Sequence, residues 1–174
     1  GAGCCYYYFN LVRNDMLSDA FLDFSTRPIS SRTDEGRGNV PDLPHLLVIG
    51  DSIAQGYLHP LQQTLGTTYR VTHVGDNARD TAYTLSHLQD WLHILPYPDM
   101  IVFNNGLHDL KYVDAKGRLS DPAAGRPNVP LAVYRQNMDE IVTLLKATGS
   151  NLVFATTPLP KSSLGYPQGS ERLY

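Results

Sequence analysis

The chain has 174 residues, enough for one domain with a sizeable core and no need of disulfide or metal staples. Hydrophobic residues make up 42% and charged residues 18%, the balance of an ordinary globular chain. A net charge of −3 without any basic stripe argues against nucleic acid as a partner, and no stretch approaches the roughly 20 apolar residues that span a bilayer.

The first 44 residues read as an arm or linker. They open with Tyr6, Tyr7, Tyr8 and Phe9, continue through a short helix expected around residues 11–24, and end in a polar stretch broken by Pro28, Gly36, Gly38, Pro41 and Pro44. The two cysteines, Cys4 and Cys5, are neighbours, a spacing that seldom meets disulfide geometry, so they do not staple the fold. Ala2-Gly3-Cys4 puts small residues ahead of a cysteine, as at a lipidated bacterial N-terminus, yet Gly1 stands where leucine is expected and no apolar segment precedes it. The compartment stays open, extracytoplasmic included.

From residue 45 to 174 the pattern is that of one domain. Strands are expected at 46–49, 69–74, 100–103 and 152–155, alternating with helices at 53–65, 79–95 and 130–148. This βαβ order predicts an α/β fold of three α/β/α layers around a parallel, flavodoxin-like sheet. Leu85, Leu88, Leu92 and Leu95 form one apolar stripe, and Tyr134, Met138, Ile141 and Leu145 another; both are core-facing by their helical spacing. Residues 111–130, with Gly117, Pro122, Gly125, Pro127 and Pro130, form a long connection of the kind that carries function or moves.

In an open parallel sheet ligands bind beyond the carboxyl ends of the strands, which selects three loops. Gly50-Asp51-Ser52 follows the first strand, 75–81 the second, and Asn104-Asn105-Gly106-Leu107-His108-Asp109 the third. Ser52 falls where a buried strand ends and a helix begins, beside unpaired N–H groups and the positive end of a helix dipole, where an oxyanion is stabilised. It is the nucleophile candidate. The alternative is that Ser52 merely caps the helix, as Asp and Ser often do.

The run Gly50-Asp51-Ser52-Ile53, with Asn77-Ala78-Arg79-Asp80-Thr81, Gly106-Leu107-His108-Asp109 and Thr156-Thr157-Pro158 behind it, resembles the SGNH, or GDSL-like, hydrolase family from about residue 45 to 160. The resemblance implies that Ser52 is catalytic and that an oxyanion hole is built from the backbone N–H groups of Ser52 and Arg79 and the side chain of His108. Arg79 stands where the family usually has glycine and His108 where it has asparagine; a backbone donor survives a side-chain change, and an imidazole N–H donates as an amide does. Asp51, Asn77 and Asp109 are supporting residues. The implied substrate is a small-molecule or carbohydrate ester with a small acyl group such as acetyl, and no cofactor is implied.

The departure from the family lies in the general base. The family's Asp-x-x-His follows a fifth strand, whereas no histidine lies beyond His108. The base is therefore expected from chain past Tyr174, from another chain, or from nowhere, and the domain is expected to be incomplete at its C-terminus, lacking the last strand. Asp42-Leu43-Pro44-His45 is the one Asp-x-x-His string, but seven residues at ~3.3 Å each put His45 and Ser52 at opposite ends of the sheet, about 20 Å apart. His59 lies roughly 10 Å along the first helix, His87 and His93 are packing or surface residues, and His73 reaches the correct edge with its face undecided. If His108 is instead the base, Asp109 or another nearby carboxylate would orient it.

No zinc-type pairing of histidines and no phosphate-binding loop is present, so neither a metal nor a nucleotide is expected. Two readings therefore stand: a serine esterase or deacylase, and a catalytically incompetent fragment or binding module on the same fold. Without a fifth strand the edge at 152–155 would be bare, so either the N-terminal arm folds over it or a second chain does, by self-association.

Overall fold

The computed structural model describes residues 9–11, 43–95, 97–156 and 165–166. In chain order they form β1 (Phe9–Leu11), β2 (His45–Ile49), α1 (Ser52–Leu65), β3 (Arg70–His73), α2 (Thr81–Ile94), β4 (Met100–Phe103), α3 (Leu107–Leu110), β5 (Tyr112–Val113), β6 (Arg126–Pro127), α4 (Leu131–Ala147) and β7 (Asn151–Ala155).

One sheet has five strands in the order β1-β7-β4-β2-β3, with β3, β2, β4 and β7 mutually parallel and β1 antiparallel on β7. Taken alone, the parallel strands follow the flavodoxin-like order 2-1-3-4, which reverses direction between the first and third of them. That switch point lies between β2 and β4, where successive connections leave toward opposite sides and a crevice opens beyond the strand ends.

Burial explains the sequence pattern of the two central strands. Every residue of β2 and β4 is buried, since helices cover both faces. Leu46 and Val48 point to the face covered by α1, where Ala54, Tyr57, Leu58, Leu61 and Leu65 meet them with Met100, Val102 and Val153. Leu47, Ile49, Ile101 and Phe103 point the other way, onto Leu88 and Trp91 of α2 and Ile141 and Leu145 of α4. Burying each such side chain contributes about 1.5–3 kcal/mol, so the alternation fixes the register of the sheet.

The expected α/β/α architecture is the one observed, with element ends shifted by a residue or two. Two expectations need correction, and of the two alternatives for the β7 edge the N-terminal arm is the one observed. Residues 107–110, taken as loop, form α3, a single helical turn with Gly106 ahead of it at φ 142°. The 111–130 connection contains the antiparallel pair β5–β6, with a further bridge from Val113 to Leu119. Both are too short to leave a periodic signal. The edge of β7 is paired from within the chain: Phe9, Asn10 and Leu11 lie opposite Ala155, Phe154 and Val153, in the place next to the fourth parallel strand. The self-association expected of a bare β7 edge thus has no bare edge over these residues. Of the helix expected at 11–24, Leu11 belongs to β1 and the remainder lies outside the described residues. No helix among the described residues is long and apolar enough to cross a membrane.

The turn from β2 into α1 leaves no room for a side chain at its first residue. A Cβ on Gly50 would lie 2.5 Å from the Cβ of Ala54. Gly50→Ala should therefore cost about 1–3 kcal/mol by overpacking. In an Ala54→Gly background, which itself costs about 1 kcal/mol of helix propensity, most of that penalty should vanish. Urea unfolding of the four proteins in this cycle measures the coupling, and strict additivity would refute the contact.

Candidate functional site

The strand β2 ends at the switch point, and the chain turns through Gly50 and Asp51 into α1. Asp51, not Ser52, is the N-cap: it has extended backbone angles, and its Oδ1 accepts the Ile53 N–H at 2.9 Å. Ser52 is then the first helical residue, exposed, with its hydroxyl not needed by the cap. The capping alternative therefore falls to its neighbour, which is 1% exposed.

A continuous set of hydrogen bonds brings the second and third loops to the first. The Gly50 carbonyl accepts the Ala78 N–H at 3.0 Å. The Ala78 carbonyl in turn accepts the Thr84 hydroxyl at 2.9 Å, and Thr84 Oγ1 accepts the Asn105 amide at 2.8 Å. Asn104 donates to the Ala155 carbonyl at 2.6 Å and ties the end of β4 to the end of β7. All three side chains and Ala78 are essentially inaccessible, so each bond lost would leave a buried polar group unpaired, at about 1–3 kcal/mol.

His108 comes to the same edge as Ser52. Its Nε2 lies 3.8 Å from Asp51 Oδ2, and its side chain is 25% exposed. The other ring nitrogen, Nδ1, faces Lys111 Nζ at 3.4 Å, while the His108 carbonyl accepts from Asn128 at 3.0 Å. Burial lowers the His108 pKa below the ordinary imidazole value; the charges of Lys111 and Arg79 lower it further, against Asp51 and Asp80. The ring is therefore neutral at neutral pH.

Arg79 has φ 49°, a left-handed conformation that glycine adopts without strain. Its guanidinium lies 4.2 Å over the Tyr83 ring, and its backbone N–H donates to Asn77 Oδ1 at 2.9 Å. This N–H, expected in an oxyanion hole, is held by Asn77, so an oxyanion would have to displace or share that bond. The physical reason is that Asn side chains readily bond the backbone two residues on.

Asp109 serves the scaffold. Its Oδ1 accepts both the N–H and the hydroxyl of Thr81, at 2.9 and 2.6 Å, tying α3 to the first residue of α2. Thr81 Oγ1 also accepts from Asn137 of α4 at 2.9 Å. Burial pushes the Asp109 carboxyl up to about 6 in spite of the two bonds from Thr81, and Oδ2 has no hydrogen-bond partner among the described residues.

The remaining histidines are accounted for by their surroundings. His45 Nε2 pairs with Thr72 Oγ1 at 2.6 Å at the far end of the sheet from Ser52, and Asp42 lies outside the described residues. His73 Nδ1 accepts the Gly75 N–H at 3.0 Å, and burial lowers its pKa against the Gly50 carbonyl and Asp76. His87 stacks between Tyr83 and Trp91, with ring centroids 4.0 and 5.7 Å away, and His59 and His93 are exposed. No hydrogen bond joins Ser52 to His73 or His108. No group of three or more metal-ligating side chains occurs among the described residues.

Sequence reading missed three residues at this edge. Lys111 and Asn128 sit in the long connection, and Asn128 also donates to Asp80 Oδ2 at 2.9 Å. Tyr166 is brought back to the edge by the chain at Gly165, whose carbonyl accepts the Tyr112 N–H at 2.6 Å; burial raises the Tyr166 pKa and the charge of Asp51 adds to it. The length of the 111–130 connection was the one signal available for the first two, and Tyr166 had none.

No family model matches the chain, and no curated protein matches it. Among solved structures it is similar to the crystal structure of an acetyl xylan esterase, AlAXEase, with 16% sequence identity and a TM-score of 0.48. The match covers 62% of this chain and 55% of that one, so this chain spans little more than half the length of that structure.

The raised pKa of Asp109 has a consequence for stability. A carboxyl that titrates near 6 when folded and near 3.9 when unfolded favours the folded state in its protonated form. Its contribution is greatest below about pH 4 and is lost as pH rises through 6, by about 3 kcal/mol in all. Relative to wild type, Asp109→Asn should gain stability over that interval, because the amide keeps an oxygen for Thr81 and has no charge to bury. Urea unfolding of both proteins as a function of pH measures the difference, and a pH-independent difference would refute the titration.

Proposed function

We propose that this chain is a serine esterase or deacylase of the SGNH type that hydrolyses a small acyl ester, such as an acetyl ester of a small molecule or carbohydrate. The observation that carries the reading is the placing of Ser52: exposed, first in α1, at the switch point of the sheet, one residue from an aspartate that His108 faces at 3.8 Å. In this reading the Ser52 oxygen attacks the ester carbonyl, its proton leaves to a base, the alcohol departs, and water releases the acid from the acyl-serine. The oxyanion is held by the Ser52 N–H at the helix terminus and the His108 side chain, with the Arg79 N–H joining once Asn77 yields it.

The binding-module reading is favoured by a different observation. His108 offers one ring nitrogen to Lys111 and the other to the Asp51 side, so neither described histidine near Ser52 is set to take its proton. Without a positioned base a serine hydroxyl is a weak nucleophile, and general-base help is worth about 10²–10⁴-fold.

The two readings are separated by turnover of a short-chain aryl acetate. The 174-residue chain should hydrolyse it slowly, and Ser52→Ala should bring the rate to that of buffer. Equal rates for the chain and Ser52→Ala would eliminate the esterase and leave the binding module. Rates typical of an esterase from the chain itself would mean that a histidine already in it, His108 first, is the base.

A further inference from the structure

Lys111 ends the turn of α3 that carries His108, and its ammonium lies 3.4 Å from Nδ1. An ammonium has only donors, so the ring nitrogen that meets it must present a lone pair. The ring proton of a neutral His108 is then on Nε2, the nitrogen on the Asp51 side. At 3.8 Å the Asp51 carboxylate is too far for a hydrogen bond and leaves that N–H open to another acceptor. The backbone under the ring is held as well, because Asn128 donates to the His108 carbonyl at 3.0 Å.

We propose that Lys111 is a positioning residue that holds His108 as the neutral Nε2–H tautomer, presenting that N–H as a hydrogen-bond donor beside Asp51 and Ser52. The proposal rests on the esterase reading only for its effect on turnover. It assigns His108 to the oxyanion and away from the base: the Nδ1 lone pair belongs to Lys111, and Nε2 carries the proton. Among the described residues, four charged groups bear on the ring from the surrounding elements. Lys111, just past the end of α3, and Arg79, in the loop before α2, oppose its protonation; Asp51, ahead of α1, and Asp80, ahead of α2, favour it. A neutral imidazole keeps its proton while donating a hydrogen bond, as an oxyanion hole requires.

Long-range proton–nitrogen spectra of the ¹⁵N-labelled chain read the tautomer and pKa of His108 directly, without reference to activity. The wild-type ring should be neutral at neutral pH, with Nδ1 bare and Nε2 protonated. Because a free imidazole also leans to that tautomer, the decisive comparison is with Lys111→Met. This variant should raise the His108 pKa and move the Nδ1 resonance toward an averaged position. Lys111→Arg, which keeps a charged donor, should preserve both wild-type readings, and Lys111→Gln replaces Lys111→Met should the latter fail to fold. On the aryl acetate, Lys111→Met should lower kcat about 3- to 10-fold with KM unchanged. A proton on Nδ1 in the wild type, or an unmoved pKa and nitrogen spectrum in the uncharged variants, would overturn the proposal. Absence of turnover in every protein, with the spectra behaving as described, would overturn the esterase reading and leave the tautomer assignment in place.

Discussion

The arrangement of this site depends on one buried chain of hydrogen bonds, from the Asn105 amide through the Thr84 hydroxyl to the Ala78 carbonyl, and from the Ala78 N–H to the Gly50 carbonyl. It crosses from the end of β4, over the first turn of α2, to the end of β2. A hydrogen bond of this kind is worth only about 1 kcal/mol net, but leaving a member unpaired in the interior costs more. The three loops therefore keep their relative positions. Ser52 and His108 hold theirs because each is two or three residues from an anchor of this chain, not because they touch one another.

The same edge of the sheet gathers four carboxylates, and each is committed to the scaffold. Asp51 caps α1, and Asp80 caps α2 through the Tyr83 N–H at 3.0 Å. Asp76 accepts the Tyr83 hydroxyl at 2.6 Å, which lowers its pKa, and Asp109 binds Thr81. Two of them sit at helix N-termini, where the helix dipole offsets part of the negative charge. With the acids so engaged, the Ser52 hydroxyl and the His108 Nε2 remain at this edge outside the carboxylate hydrogen bonds of the described residues.

The periodic elements were legible in advance because their physics is local. The apolar run at 46–49 reads as a doubly covered strand, and Tyr134, Met138, Ile141 and Leu145 read as a helical stripe; β2 and α4 occupy those positions. Short elements were not legible. Leu107–Leu110 is one turn of helix and Tyr112–Val113 is two residues of strand, and neither is long enough to show a period. The antiparallel pairing of β1 on β7 joins residues nearly the whole chain apart, and nothing in Phe9–Leu11 itself names its partner.

By itself the sequence determined the order of the longer strands and helices, the two core stripes and the serine at a strand-to-helix turn, since each follows from spacing and residue type within a few neighbours. The tertiary structure decided which atoms are available at that turn. It placed the cap on Asp51 and so freed Ser52, put the Arg79 N–H on Asn77, buried Asp109 against Thr81 and set Lys111 against Nδ1 of the His108 ring. These are choices among donors and acceptors that the chain could satisfy in several ways. Only the packed geometry, with its cost for every buried group left unpaired, selects one.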